Sequence, residues 1–208
     1  MREAQAGTAP QVPLEAVLCT EQLALRPSRP PDYKAERQAL SVLMERLRYA
    51  PHRILQTLVD SALELCRGHS AGISLLEEGA PGQVSPRGDH FRWHAVVGRW
   101  APLVWETTTP RNRGPCGTVL DRNRTLLFAN AHRHYPQFAG VQPSLVEGLL
   151  VPFHVDGKPV GTVWVVAHDE SRKFDAEDQR LLESIATFAA TAYHVLTLSH
   201  MSILRPPS

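Results

Sequence analysis

The chain has 208 residues, 43% of them hydrophobic and 21% charged, and its formal net charge at pH 7 is +1. This length and composition are those of one globular domain with terminal extensions, and the balanced charge gives no electrostatic basis for binding nucleic acid or an anionic membrane. No apolar run reaches the roughly 20 residues of a membrane-spanning helix, and the N-terminus lacks the apolar core of a signal peptide. The three cysteines are too few and too widely spaced for a disulfide framework or a metal knuckle, so we expect a reduced, cytoplasmic protein.

The N-terminal quarter of the chain changes character at about residue 33. Residues 1–32 contain five prolines and are predicted to be a flexible segment, apart from a short helix around 14–25. Apolar residues at helical spacing then predict a helix over 34–48 and a second helical segment over 52–67.

The middle of the chain predicts strands separated by loops. Two β-favouring runs, 71–77 and 90–97, predict a hairpin with a long Gly/Pro-rich loop. A short helix at 115–121 and a short strand at 125–128 follow, and then a mostly irregular connection. We call residues 113–147 the crossover. The tryptophans, which fall on strands or amid apolar neighbours, are expected in the core: Trp93, Trp100, Trp105 and Trp164.

The last third of the chain predicts a hairpin and a capped helix. Apolar residues alternate over 149–153, Asp156-Gly157 is a strong hairpin turn signal, and 160–167 is a second run of strand length. Asp175 stands where an N-cap belongs, with acidic residues in the first turn of a helix that runs to about 199.

The order of elements predicts an α+β fold. Helices come first, strands follow, and a helix closes the chain, which favours an antiparallel or mixed sheet of about five or six strands with the terminal helices packed on one face. We expect a single domain over 33–200 and a flexible tail over 201–208.

Residues 51–198 resemble a GAF domain, and four segments carry the likeness. They are AGISLLEE at 71–78, RGPCGTVL at 113–120, LLVPFHVDGKPVGTVWVVAHD at 149–169 and FDAEDQRLLESIATFAA at 174–190. RGPCGTVLDRN with the later RHYP is similar to the GAF modules associated with bacterial sensor histidine kinases. The resemblance implies a sensor with a ligand pocket under the crossover. It names no ligand or cofactor, because the family binds cyclic nucleotides, tetrapyrroles, haem, small acids or nothing known.

Polar and aromatic residues of the crossover are the candidate ligand-binding residues. They are Cys116, Thr118, Asn130, His132, Arg133, His134, Tyr135 and Glu147. Small-molecule pockets have this composition, and an imidazole there could hydrogen-bond a ligand or ligate haem iron. The alternative is a solvated polar loop.

Cys116 has two interpretations. At the start of a short helix its thiol could have a lowered pKa and serve a thiol-dependent redox enzyme, or it could be a small buried residue at a tight turn. Gly117 follows it where bilin-binding relatives have histidine, which argues against a covalent bilin. The methionine-sulfoxide reductases of this fold need several cysteines in one pocket, whereas Cys19 is expected in the flexible segment and Cys66 on a helix facing the core, which argues against that enzyme.

Two further motifs are incomplete. Lys173, Phe174 and Asp178 match part of the signature of cyclic-nucleotide-binding GAF domains, but the remaining positions differ, and a capped helix start explains what is left. Residues 198–200 resemble the phosphoacceptor box of histidine kinases, but Met201 replaces the acid that normally follows the histidine. The likeness is therefore either a coincidence or kinase remnant, or the sign of a phosphotransfer role for His200.

We therefore expect a non-catalytic sensory module that binds a small molecule or a partner protein, such as a histidine kinase, with no metal site assigned. The terminal helices carry more apolar residues than one core stripe needs, which predicts a homodimer through them. On the last helix these residues are Leu181, Leu182, Ile185, Phe188, Ala189, Ala192, Tyr193 and Leu196.

Overall fold

The structure, a computed structural model, describes residues 12–77, 89–103 and 108–198. A short helix α1 (Gln22–Leu25) is followed by α2 (Tyr33–Tyr49) and α3 (Ile54–Leu65). These two longer helices confirm the predictions for 34–48 and 52–67. The side chain of Asp32 accepts a hydrogen bond from the amide of Ala35 at 2.9 Å and so caps α2.

One sheet of six strands forms the centre of the described chain. The strands are β1 (Ser70–Glu77), β2 (His90–Gly98), β3 (Thr108–Pro110), β4 (Leu126–Ala129), β5 (Glu147–Val155) and β6 (Lys158–Ala167). Their order is β3-β2-β1-β6-β5-β4, and each neighbouring pair is antiparallel. The turn between β5 and β6 has positive φ at both Asp156 and Gly157, as a two-residue type I′ hairpin requires. The α+β prediction and the predicted strand number are confirmed.

The two faces of the sheet have separate cores. On one face, α3 and the closing helix α5 (Ala176–Leu198) pack against the strands and α2 packs against α3, with Leu43, Leu58 and Leu182 in the shared core. On the other face, the crossover with its helix α4 (Pro115–Arg122) covers a second core that contains Phe128, Trp93, Trp100 and Trp164. The terminal helices thus lie on one face, as predicted.

The closing helix begins with a reciprocal cap. The carboxylate of Asp175 accepts from the amides of Glu177 and Asp178 at 2.9 and 3.0 Å, and the Asp178 carboxylate accepts from the Asp175 amide at 2.9 Å. Each side chain satisfies backbone donors that the helix itself cannot. Phe174 beside them is fully buried. The predicted N-cap at Asp175 is confirmed.

Residues 12–32, which we call the strap, run past the outer edge of β4 and pair with it through residues 17–19. The amide of Ala129 donates to the carbonyl of Val17 at 2.8 Å, and the amide of Cys19 donates to the carbonyl of Leu127 at 2.9 Å. The side chains of Val17 and Leu23 are buried. This differs from the flexible segment predicted from proline content, because a few contacts hold the strap without a periodic apolar pattern. The short helix predicted around 14–25 corresponds to a helical turn at Leu14–Ala16 and to α1 at Gln22–Leu25. Residues 1–11 and the predicted tail at 201–208 lie outside the described residues.

Candidate functional site

A small cavity lies between the sheet and the crossover. Its volume is about 30 Å³, and its lining is almost wholly apolar. The lining residues are Trp93, Trp100, Thr109, Gly114, Pro115, Cys116, Phe138, Leu145, Leu150, Trp164 and Val166. An apolar cavity that admits benzene measures about 150 Å³, so this one has room for little more than a water molecule.

Three tryptophans surround the cavity. Trp93 on β2 and Trp164 on β6 have ring centroids 5.0 Å apart, and Trp100, just beyond β2, stacks on Trp93 at 5.4 Å and 18°. Gly72 on β1 makes room for this group, because a Cβ there would lie 2.2 Å from a ring carbon of Trp164. The prediction that these three tryptophans are core residues is confirmed, and Trp105 lies outside the described residues.

A chain of hydrogen bonds ties the edges of the cavity together. The Trp100 amide donates to Ser70 Oγ at 3.0 Å, and Ser70 Oγ lies 2.7 Å from His168 Nε2. His168 Nδ1 lies 2.8 Å from the carbonyl oxygen of Ser144, which can only accept, so Nδ1 carries a proton and Nε2 accepts from the serine. Burial lowers the pKa of His168, consistent with a neutral ring.

Ser70, Trp100 and His168 were not among the residues predicted for the site. The sequence offered one signal for His168, a histidine that ends an otherwise apolar strand. The pairing of Trp100 with Pro143, 43 positions apart, had no local signal.

Cys116 is the predicted site residue that does line the cavity. Pro115 and Cys116 begin α4, and Thr162 Oγ1 donates to the thiol sulfur at 3.2 Å. Burial raises the pKa of the Cys116 thiol. The position at the helix start therefore does not lower the pKa of this thiol, and the half-buried Cys116 packs against the core on the crossover side.

Thr118 and Tyr135 contact each other rather than the cavity. Their hydroxyl oxygens are 2.6 Å apart, and Tyr135 is buried with its ring against Phe128. Burial raises the pKa of the Tyr135 hydroxyl. This contact holds α4 to the short helical turns that follow β4.

Of the remaining candidate residues of the crossover, His134 and the backbone of Arg133 contact the strap. His134 Nδ1 lies 2.7 Å from the carbonyl of Val12, and the Val12 amide donates to the carbonyl of Arg133 at 3.2 Å. Arg133 is exposed, and His132 is half-buried. Asn130 has φ 49° and turns the chain at the end of β4. None of these four residues lines the cavity of about 30 Å³.

Glu147 lies on the opposite face of the sheet, which corrects its predicted place in the pocket. Only 1% of its surface is exposed. Its carboxylate accepts from Arg26 Nη1 and Nη2 at 2.8 and 2.9 Å and from the Phe174 amide at 2.9 Å. The reason is strand parity, because residue 147 shares a face of β5 with Leu149 and Val151, which pack under the terminal helices.

The three cysteines are spread over both faces of the sheet. Cys19 and Cys66 belong to the helix side, where burial raises the pKa of Cys19 to about 11 and also raises that of Cys66. Cys116 lies on the crossover side. In the described part of the chain, no three His, Cys, Asp or Glu side chains are grouped so as to hold a metal ion. None of the described helices combines the length and the apolarity needed to cross a membrane.

Comparison with known proteins identifies the kind of domain that this chain resembles. A family model described as GAF domain matches residues 50–194. A comparison with curated proteins found no match. Three solved structures illustrate the likeness of fold.

The first is the GAF domain of an Acinetobacter phosphoenolpyruvate-protein phosphotransferase, 16% identical, with a TM-score of 0.62 over 78% of this chain and 95% of that one. A free methionine-R-sulfoxide reductase from Neisseria meningitidis, solved with its substrate, is 19% identical, with a TM-score of 0.61 over 85% and 99%. The phycoerythrobilin-bound GAF domain of a cyanobacterial phytochrome is 12% identical, with a TM-score of 0.58 over 79% and 97%.

Proposed function

Because the chain belongs to the GAF domain family, we propose that it is a sensory module that binds a small molecule on the crossover side of its sheet. The observation that supports the proposal is the tryptophan-lined cavity between the sheet and the crossover, whose volume of about 30 Å³ requires that a ligand displace a lining side chain. Concave, mainly apolar sites with a few hydrogen-bonding groups are the usual form of small-molecule pockets. Solved proteins of this fold hold a bilin in one case and a reductase substrate in another.

Binding fits the chemistry of the cavity better than thiol catalysis does. A thiol-dependent redox protein is the second candidate, favoured by the position of Cys116 on the cavity wall. The thiolate is the reactive form, and burial raises the Cys116 pKa away from it. The other two cysteines lie across the sheet and offer no nearby partner for a disulfide.

We also propose that the module forms a homodimer through α2 and passes its signal to a histidine kinase or another signalling protein. The apolar side chains Tyr33 and Met44 of α2 are 68% and 61% exposed, and Val42 and Tyr49 accompany them. The apolar surplus predicted for α5 contributes less, because most of it packs inside the same subunit. Its buried members are Leu181, Leu182, Ile185, Ala189, Ala192 and Leu196.

Sedimentation velocity over a dilution series tests the dimer. The dimer should persist at micromolar concentration, and Met44→Glu should dissociate it because a charge would be buried at the interface. A strict monomer at micromolar concentration would remove the dimer proposal. Phosphotransfer through His200 stays a prediction, since that residue lies outside the described part of the chain.

Native mass spectrometry with an absorption spectrum of freshly purified protein tests the sensory function. We expect a co-purified small molecule, or a thermal shift with at least one member of a metabolite library, since a ligand that binds the folded state stabilises it. An apo mass with no stabilising compound would count against ligand sensing.

A further inference from the structure

The side chain of Trp100 is held in the way that a pocket holds a planar ligand. Its ring stacks on Trp93, meets Trp164 edge-on at 5.8 Å and 67°, and lies 5.0 Å from the His168 ring. Its Nε1–H donates to the carbonyl of Pro143 at 2.7 Å. Only 1% of the residue is exposed.

Trp100 reaches this position from outside the sheet. β2 ends at Gly98, and Trp100 starts the short turn that contains 101–103. Its side chain therefore enters the crossover core from a connecting segment, whereas Trp93 and Trp164 belong to strands. Withdrawal of Trp100 would move a connecting segment and would not break a pair of sheet strands.

We propose that the indole of Trp100 occupies the ligand site, and that the ligand is a planar, uncharged heteroaromatic of about indole size with one N–H donor, which takes its place. This inference rests on the proposed function, since it assumes that the crossover side binds a small molecule. The surroundings of Trp100 define this class of ligand, because they offer the Trp93 ring for stacking, the edge of the Trp164 ring and the carbonyl of Pro143 as a hydrogen-bond acceptor.

The lining also sets the charge of the ligand. The side chains around the cavity are apolar apart from Thr109 and Cys116. A charged ligand group would lose its hydration there without an ionic partner, which is strongly unfavourable. A single N–H, by contrast, would meet the carbonyl of Pro143.

Displacement of Trp100 has a structural consequence for the crossover. The Trp100 amide and indole are bonded to Ser70 and Pro143, and Ser70 is in turn bonded to His168, which holds Ser144. Withdrawal of Trp100 breaks its two bonds and leaves Ser70 and the crossover free to rearrange. Ligand binding is thereby coupled to the crossover through a named set of contacts.

Chemical rescue of Trp100→Ala by indole tests the inference. The variant should lower Tm by on the order of 10 °C, and saturating indole should restore about 3–6 °C. 1-Methylindole, which has no N–H, should bind at least about tenfold more weakly, because the Pro143 carbonyl would stay unpaired. Indole-3-acetate should not bind. Phe174→Ala is the matched control, since it opens the core on the helix side of the sheet and should not respond to indole.

The outcomes separate this inference from the proposed function. A folded Trp100→Ala that gains less than about 1 °C with indole overturns the inference. If Trp100→Ala does not fold, the same titration of Trp100→Leu decides in the same way. Binding of a charged or non-aromatic molecule by the wild type, without indole rescue, would keep the sensory function and overturn this ligand class. Rescue of the variant while the wild type binds neither indole nor any library compound would show that Trp100 is not displaced, which overturns this inference and also counts against the sensory function.

Discussion

Glu147→Gln should destabilise the fold by about 3 kcal/mol, because the carboxylate fastens the strap to the sheet. The substitution removes the charge and replaces one acceptor oxygen with a donor that faces Arg26 or the Phe174 amide. Breaking a buried ion pair costs about 3–5 kcal/mol, and the lower end applies here because Arg26 keeps 20% of its side chain exposed to water.

Urea unfolding followed by tryptophan fluorescence measures this loss. With a slope of about 3 kcal/mol/M for a chain of this size, the midpoint should fall by about 1 M. Glu170→Gln is the matched control. Lys173 Nζ lies 3.6 Å from the Glu147 carboxylate and 2.6 Å from that of Glu170, but the Glu170 side chain is 73% exposed. The midpoint of Glu170→Gln should therefore move by no more than about 0.2 M.

A double variant distinguishes the cost of an unpaired buried charge from the loss of the ion pair itself. Arg26→Met combined with Glu147→Met should cost less than the sum of the single changes, since no charge is then left buried without a partner. If Glu147→Gln shifts the midpoint by less than about 0.2 M, the structural role assigned to this carboxylate is refuted. A loss of ligand binding with unchanged stability would restore Glu147 to the predicted ligand site.

Three other predictions concern the opposite face of the sheet and the pH range of the fold. Burial lowers the pKa of His168, so its contribution to stability should be complete above about pH 6.5 and lost as the pH falls through the folded pKa. In urea titrations at pH 7 and pH 5, His168→Gln should lose less stability on acidification than the wild type, and part of the loss should remain because burial also lowers the His94 pKa. An unchanged loss of stability between the two pH values would contradict this prediction. The Cys116 thiol should react with iodoacetamide at pH 8 at least about tenfold more slowly in native than in urea-unfolded protein, and equal rates would show that it is accessible and ionised. Gly117→Ala should lower Tm by on the order of 10 °C despite the better helix propensity of alanine, because its Cβ would lie 1.7 Å from the carbonyl oxygen of Arg111; an unchanged Tm would mean that α4 can shift freely.

The elements with strong local signals were predicted closely. The hairpin at Asp156-Gly157 and the cap at Asp175 each depend on residues within a few positions of one another. β3 was missed because it has three residues and ends in Pro110, too little for a periodic pattern. The strap was missed because proline content is a poor guide to burial when a few side chains, such as Val17 and Leu23, do the packing.

The candidate site was predicted less well, since it depends on contacts between distant parts of the chain. Of the predicted ligand-binding residues, Cys116 does line the cavity. His134 instead contacts the strap, and Tyr135 contacts Thr118 on α4. Strand parity alone could have placed Glu147 on the helix side, because it stands two residues before Leu149. No pattern within a short window could link Trp100 to the carbonyl of a residue 43 positions away.

The strap also decides where a stable fragment of this protein can begin. The family match starts at residue 50, yet Arg26 and Arg29 supply cations to the buried carboxylates of Glu147 and Asp178. A chain shortened to residue 50 would lose both cations and uncover the outer edge of β4, and an uncovered strand edge pairs readily with other chains. The start of the family match and the start of the contacts that hold the sheet therefore fall at different residues, and we expect a stable fragment to begin upstream of Arg26.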